Sequence, residues 1–326
     1  MVERLVANEK VEGSTPFARS IKMSKSKILT SLFQKFLNDR DIRRFKSNFF
    51  YYLLFRLIRN FLAYDLIIKI YNFKIFGSIK KNETSYFLLK KCEFGDYEEL
   101  QTIKKLSETK KLLFLDCGCN YGFYSFYTSS ISKDNLVISI EASRKTSEIF
   151  RKNLSLNNST NINFYNKAIS DRDDEIIRFN ESENDWESSQ VHSDFKLETI
   201  SEIKSISIDT VVKEYNLSEY NAVIKLDIEG NEFRAIEGAL EFIKKASPLI
   251  IIEFSKFIFN KKENINYLKH FLASNEYSIY DKNKNKINLD QILKMINNLK
   301  KRYKTIGNFY LIKNFSNNLK VFLSNE

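Results

Sequence analysis

The sequence predicts an α/β fold, a Rossmann-like and mostly parallel sheet with helices on both faces, and three observations predict it. The apolar run Leu112-Leu113-Phe114-Leu115 reads as a strand buried on both faces, and it runs into Asp116-Cys117-Gly118-Cys119-Asn120-Tyr121-Gly122 and then a helix from Phe123. Glu141 closes a second apolar run, Leu136–Ile140, about 20 residues after that glycine turn. A third run, Ala222–Leu226, ends on Asp227-Ile228-Glu229-Gly230. Strand, glycine turn and helix together let a ligand approach the backbone and meet the first helical N–H groups.

Composition sets the frame. A chain of 326 residues with 43% hydrophobic content and 2 prolines can bury a good core, as one large domain with an appendage or as two small domains. The net charge of +11 is localised: residues 22–81 hold fourteen basic and three acidic residues, which accounts for the whole excess. From residue 82 onward the chain is neutral, which argues against nucleic acid as the partner of the α/β domain. Three cysteines, Cys92, Cys117 and Cys119, make no disulfide framework and point to a reduced, cytoplasmic chain. With only His192 and His270 beside them, no metal site is assigned, and Cys117 and Cys119 read as small residues filling a tight turn.

Taken in order, residues 1–22 have no sustained periodicity and lack the apolar core of a signal peptide. They resemble a transfer-RNA gene translated as protein, so they are expected to be a non-native or disordered leader, with Met23 as the natural start. Residues 23–81 are expected to form a basic amphipathic helical segment, with Phe50, Leu53, Leu54, Leu57, Phe61 and Tyr64 on one face and Arg56 and Arg59 on the other. As a membrane span it would place both arginines near the bilayer centre, at roughly 2.5–3.5 kcal/mol each, so no transmembrane span is expected. Peripheral contact with an anionic membrane, packing on the main domain or a partner, and nucleic-acid contact remain open for it. The α/β domain is expected over 82–326, opening with a turn and short helix at Glu93–Leu100.

Strands are expected at 111–116, 136–140, 162–165, 222–227 and 249–252, with helices at 144–158 and 231–245. Ala168–Asp171 reads as a loop whose small residue and acid could line an adenine pocket. Residues 180–200 are polar and glycine-free and hold Trp186, Ser188, Ser189 and His192, the composition of a lid, a binding loop or a solvated excursion. Lys225 and Asp227, two apart, share a strand face. Asp227, Glu229 and Glu253 gather at the carboxyl ends of strands, where open α/β sheets bind ligands. A helix at 263–275, a strand at 277–280, a helix near 288–303 and a strand at 309–312 complete the sheet, the last two strands as its antiparallel edge.

Between Tyr97 and Lys313 the pieces DCGCNYGFYS (116–125), ISIEAS (138–143), NINFYNKAIS (161–170), ISID (206–209), IKLDIEGNE (224–232) and PLIIIEF (248–254) stand in order. In this combination the chain resembles the FkbM family of S-adenosylmethionine-dependent methyltransferases. The resemblance implies a seven-stranded class I methyltransferase sheet, S-adenosyl-L-methionine as donor, and O-methylation of a hydroxyl on a sugar, glycan, lipid-linked acceptor or natural product. Carried over by position, Asp116, Gly118, Asn120 and Gly122 hold the methionine part, Glu141 the ribose, and Ala168 flanks adenine. Asp227, Glu229 and Glu253 line the reaction cleft. Asp227 is the first candidate for orienting the hydroxyl or taking its proton, with Glu229 and His192 behind it. Cys117 and Cys119 depart from the commoner small aliphatic residues of the turn, and residues 23–81 lie outside the resemblance. Other classes stay open: a catalytically silent scaffold targeted by the basic segment, a nicotinamide-dependent oxidoreductase, for which Asn120 spoils the dinucleotide fingerprint, and an RNA methyltransferase.

Overall fold

The computed structural model describes residues 66–77, 96–180, 189–190, 200–300 and 305–324. The strands are β1 (Leu66–Ile70), β2 (Phe73–Gly77), β3 (Leu112–Cys117), β4 (Leu136–Ile140), β5 (Ile162–Tyr165), β6 (Ala168–Ile169) and β7 (Ile176–Asn180). They continue as β8 (Ser189–Gln190), β9 (Ile200–Ile206), β10 (Asn221–Leu226), β11 (Leu249–Ser255), β12 (Tyr277–Tyr280), β13 (Lys286–Ile287) and β14 (Thr305–Lys313). The helices are α1 (Tyr97–Thr109), α2 (Phe123–Ile131), α3 (Arg144–Asn157), α4 (Ile208–Val212) and α5 (Glu232–Glu237). After them come α6 (Leu240–Ala246), α7 (Lys256–Phe259), α8 (Lys262–Asn275), α9 (Leu289–Asn297) and α10 (Asn317–Leu323).

The central sheet has the strand order β13-β12-β14-β11-β10-β3-β4-β5. Strands β3, β4, β5, β10 and β11 pair in parallel, and β14 lies antiparallel between β11 and β12. Strand β12 therefore runs with the parallel set, and the reversed direction belongs to β14 and the two-residue β13, not to the last two predicted strands together. Without β13 this is the seven-stranded Rossmann-like sheet of class I methyltransferases, with helices on both faces.

Side-chain alternation divides the strands between two cores. Leu113, Leu115, Ile138, Ile224, Ile250 and Leu311 face helices α4 to α9. Phe114, Val137, Val223, Ile251 and Tyr310 face α1, α2, α3 and α10. On the parallel strands of this second face these apolar positions are followed, two residues on, by polar ones. Asp116 follows Phe114, Ser139 follows Val137, Lys225 follows Val223 and Glu253 follows Ile251. The carboxyl end of that face is thus a polar patch sealed below by an apolar layer.

Several expectations change. Within the stretch predicted as a basic helix, residues 66–77 form an antiparallel hairpin instead, turning at Tyr71-Asn72 with Tyr71 at φ +50°. Phe73 packs edge-on against Phe123 at 5.3 Å, and both Phe73 and Ile75 are core residues. Asn157 accepts from Lys74 N and donates to Lys74 O, each at 2.7 Å, while Asn153 Oδ1 accepts from Phe76 N at 2.5 Å. The asparagines of α3 thus serve β2 as a partner strand would, and the α/β body reaches back to residue 66 rather than starting at 82. The remaining residues of 1–65 and 78–95, including most of the predicted amphipathic helix, lie outside the described residues.

Ala168–Ile169 is not loop but β6, which pairs with β9 in a second sheet of order β6-β9-β7-β8. Strands β7 and β9 pair antiparallel and bracket the polar stretch 180–200, most of which lies outside the described residues. The helix predicted over 231–245 is broken into α5 and α6. Gly238 causes the break: it packs so closely on the Ser170 carbonyl that a Cβ would overlap it, and its own carbonyl accepts from Asp209 N at 2.8 Å, outside the helical ladder. Strand β11 continues to Ser255, so Glu253 lies within a strand and not at its end.

Candidate active site

The glycine turn and the Asp227 loop are one packed unit. Asp227 N donates to Cys117 O at 3.1 Å, and Gly118, at φ +81°, lies so close that a Cβ there would collide with the Asp227 carbonyl oxygen. Only glycine permits both that dihedral and that approach. Gly122, at φ +88°, is held against Phe126 and Phe150, whose rings a Cβ would meet at 2.5 Å. Asn120 stands at φ +49°, a region that asparagine tolerates better than most side chains, and its Oδ1 accepts from Tyr121 N at 2.8 Å. That is the physical reason why asparagine can fill the place of a middle glycine.

Glu141 ties this turn to the start of α3. Its Oε2 accepts from Asn120 N at 2.9 Å and its Oε1 from Ser143 N at 2.8 Å. It is not the cap of α3; Ser143 takes that role by accepting from Thr146 N. Burial pushes the Glu141 carboxyl up to about 7, against the pull of the Ser143 and Asn120 N–H groups. Asp116 is 2% exposed and turned under the turn, where Oδ2 accepts from Ser125 Oγ at 2.5 Å. Burial raises it to about 6, with Lys225 and Ser125 pulling it back. Cys117 and Cys119 are free, buried thiols whose pKa is raised by burial and by the Asp116 carboxylate.

Ala168 is buried in the small core of the second sheet with Ile177 and Ile203, next to Ala142 and so beside Glu141 in the chain. Asp171, expected to share an adenine pocket with it, is instead committed to Arg234, whose second arm reaches Glu175 at 2.6 Å. This triad joins the second sheet to α5.

The acidic crevice lies beside the turn. In register, Lys225 pairs with Asp116 on one side and Ile251 on the other. Its Nζ stands 2.7 Å from Asp227 Oδ2 and 4.8 Å above the Tyr124 ring, with the side chain 3% exposed. Burial alone would lower the Lys225 pKa, but the carboxylates of Asp227 and Asp116 more than reverse this, and it stays an ammonium. Carboxylate oxygens of Asp227, Glu229 and Glu253 all lie within 4.8 Å of one another, close enough to ligate a common cation. Burial and the Asp227 charge push Glu253 up to about 7, against Lys225 and Thr305.

From α1, Asp96 accepts from Tyr124 Oη at 2.7 Å, and the buried Glu99 is raised by burial and by Asp96, opposed by its hydrogen bond with Asn308. Tyr124, Glu99 and Asn308 escaped the sequence reading because nothing local marks them. Glu232 escaped it too, though an acid two residues after Gly230 in a helix's first turn is a signal that could have been followed. His192 lies outside the described residues, as do Trp186 and Ser188. No helix among the described residues is long and apolar enough to cross a membrane.

No curated protein sequence matches the chain. Among solved structures, the methyltransferase FkbM from Methylobacillus flagellatus KT is similar at 19% identity and a TM-score of 0.38, over 69% of this chain and 52% of that one. The chain therefore spans about half the length of that protein. The precorrin-6y C5,15-methyltransferase of Geobacter metallireducens GS-15 is similar at 12% identity and a TM-score of 0.35, over 65% of this chain and 84% of that one. TYW2 of M. jannaschii, solved in complex with AdoMet, is similar at 14% identity and a TM-score of 0.38, over 76% and 83%. The family model described as the methyltransferase FkbM domain matches residues 116–300. That span takes in the glycine turn, Glu141 and the acidic crevice and exceeds half of the 326 residues, and the chain belongs to the FkbM methyltransferase family.

Proposed function

We propose that the protein is an S-adenosylmethionine-dependent O-methyltransferase acting on a hydroxyl of a sugar, glycan, glycolipid or natural product. The observation that carries the reading is the packing of the Gly118 turn onto the Asp227 loop, which sets a nucleoside-type cradle directly beside three clustered carboxylates. The residues suit the donor. Gly118 and Gly122 supply the left-handed dihedrals and close packing that shape the turn, and Glu141 offers a carboxylate at the neighbouring strand end. Asp116, buried beneath, braces the turn through Ser125. To Ala168, packed beside Ala142, we assign the flanking of adenine. When bound, S-adenosylmethionine supplies an electrophilic sulfonium methyl group, so the protein has chiefly to align the acceptor and exclude water.

A hydroxyl acceptor must also release its proton as its oxygen gains the methyl group. Asp227 orients the hydroxyl, with its Oδ2 fixed by Lys225. Glu253 and Glu229 stand within reach as proton acceptors, and a carboxyl near 7, as at Glu253, is matched to that task at neutral pH. The test is transfer of a radiolabelled methyl group from S-adenosylmethionine to a panel of free sugars, polyprenyl-linked glycans and phenols, with the product assigned by NMR. A methoxy product supports the reading; exclusive methylation at nitrogen or carbon overturns it.

A further inference from the structure

Glu232 is a buried acid with no part in the chemistry above, and its geometry gives it one. It is 2% exposed and opens α5. Its Oε1 accepts from Gly230 N at 3.1 Å and from Ile228 N at 3.3 Å, while its Oε2 has no hydrogen-bond partner. Those two N–H groups flank Glu229, which stands at φ +54° and is followed by Gly230 at φ +108°. Two successive left-handed residues, one of them a glutamate, form a backbone that an isolated loop would not keep. The loop so held carries Asp227 and Glu229 at its head, and the same loop receives Gly118 against the Asp227 carbonyl.

We propose that Glu232 is the positioning residue of this site: by accepting both N–H groups it fixes the 227–230 loop, and through Gly118 that loop sets the donor turn. This rests on the reading of the turn as the donor site. The role belongs to the acceptor oxygen and the reach of the side chain, not to negative charge. Glutamine retains both, whereas aspartate keeps the charge but is one methylene too short to span the loop.

The test pairs Glu232→Gln with Glu232→Asp in the full chain. Amide hydrogen exchange is followed by NMR, and S-adenosylhomocysteine binding by calorimetry. In Glu232→Asp, exchange at Ile228 and Gly230 should quicken at least tenfold while Val223 and Ile224 in β10 keep wild-type protection, and S-adenosylhomocysteine affinity should fall about tenfold. Glu232→Gln should match wild type on both readouts. The proposal is overturned if Glu232→Gln loses loop protection while Glu232→Asp keeps it, since charge would then be the agent. It is also overturned if β10 and loop amides lose protection together, or if loop protection is lost with affinity unchanged. Failure of wild type to bind S-adenosylhomocysteine would instead strike the donor reading, and exchange at Ile228 and Gly230 would still decide whether Glu232 holds the loop.

Discussion

Gly118→Ala probes the contact between the donor turn and the acidic crevice, and Gly307→Ala is its internal control. Both glycines are left-handed, at φ +81° and φ +95°. An L-residue in that region costs roughly 1–2 kcal/mol. At Gly307 nothing lies within 4 Å of an added Cβ, so the expected loss is that strain alone. At Gly118 the Cβ meets the Asp227 carbonyl, a backbone group that cannot swing aside. Overpacking of this kind adds roughly 1–3 kcal/mol, for a total of about 2–5 kcal/mol. The difference between the two variants, about 1–3 kcal/mol, is the worth of the close approach itself. Urea denaturation of wild type and both variants measures it. Equal losses in the two variants, or a loss under 1 kcal/mol at Gly118, would refute the claim that this turn and this loop are packed as one unit.

Other outcomes are expected. Glu141 has a folded-state pKa raised to about 7 from an unfolded value near 4.5, so the folded state binds more protons between those values. Stability is then greatest below about pH 4.5 for this group and falls as pH rises through 7, by up to about 1.4 kcal/mol per pH unit; in Glu141→Gln, denaturant melts at pH 5, 6 and 7 should show a shallower decline. Asp227→Asn should lower methyl transfer at least tenfold while leaving S-adenosylhomocysteine affinity within twofold, read by steady-state kinetics and calorimetry. Lys225→Met removes a buried cation placed among Asp227, Asp116 and Tyr124, and should destabilise the fold by roughly 3 kcal/mol in urea melts, less whatever water recovers at the half-exposed Asp227. Contact of the basic N-terminal residues with anionic vesicles should appear in flotation assays and vanish on deletion of residues 23–65. The deletion must stop there, because Phe73 and Ile75 are core residues.

What could be read in the sequence follows from the range of the forces involved. Strands β3, β4, β10 and β11 were legible because each is a short apolar run bounded by turn residues, and burial on both faces demands such a run. Gly118, Gly122 and Glu141 were legible because their spacing along one strand-turn-helix unit is local. The hairpin at 66–77 was not, since it lies in a basic segment whose composition also suits an amphipathic helix, and what selects the strand is distant: Asn153 and Asn157 on α3. The second sheet was missed for the same reason, because β7 and β9 stabilise each other across a polar stretch. In the site, Lys225 with Asp227 followed from strand periodicity, whereas Tyr124, Glu99 and Asn308 are brought to the crevice by the fold. The pairing of Asp171 with Arg234 was not legible either, because the two are 63 residues apart.

The claim that the glycine turn is a methyl-donor site is tested most directly by calorimetric titration of the purified chain with S-adenosylhomocysteine, with NADH as the control ligand. Micromolar binding of S-adenosylhomocysteine alone, lost in Glu141→Ala, is the predicted result. Binding of NADH in its place, or of neither ligand, would contradict it.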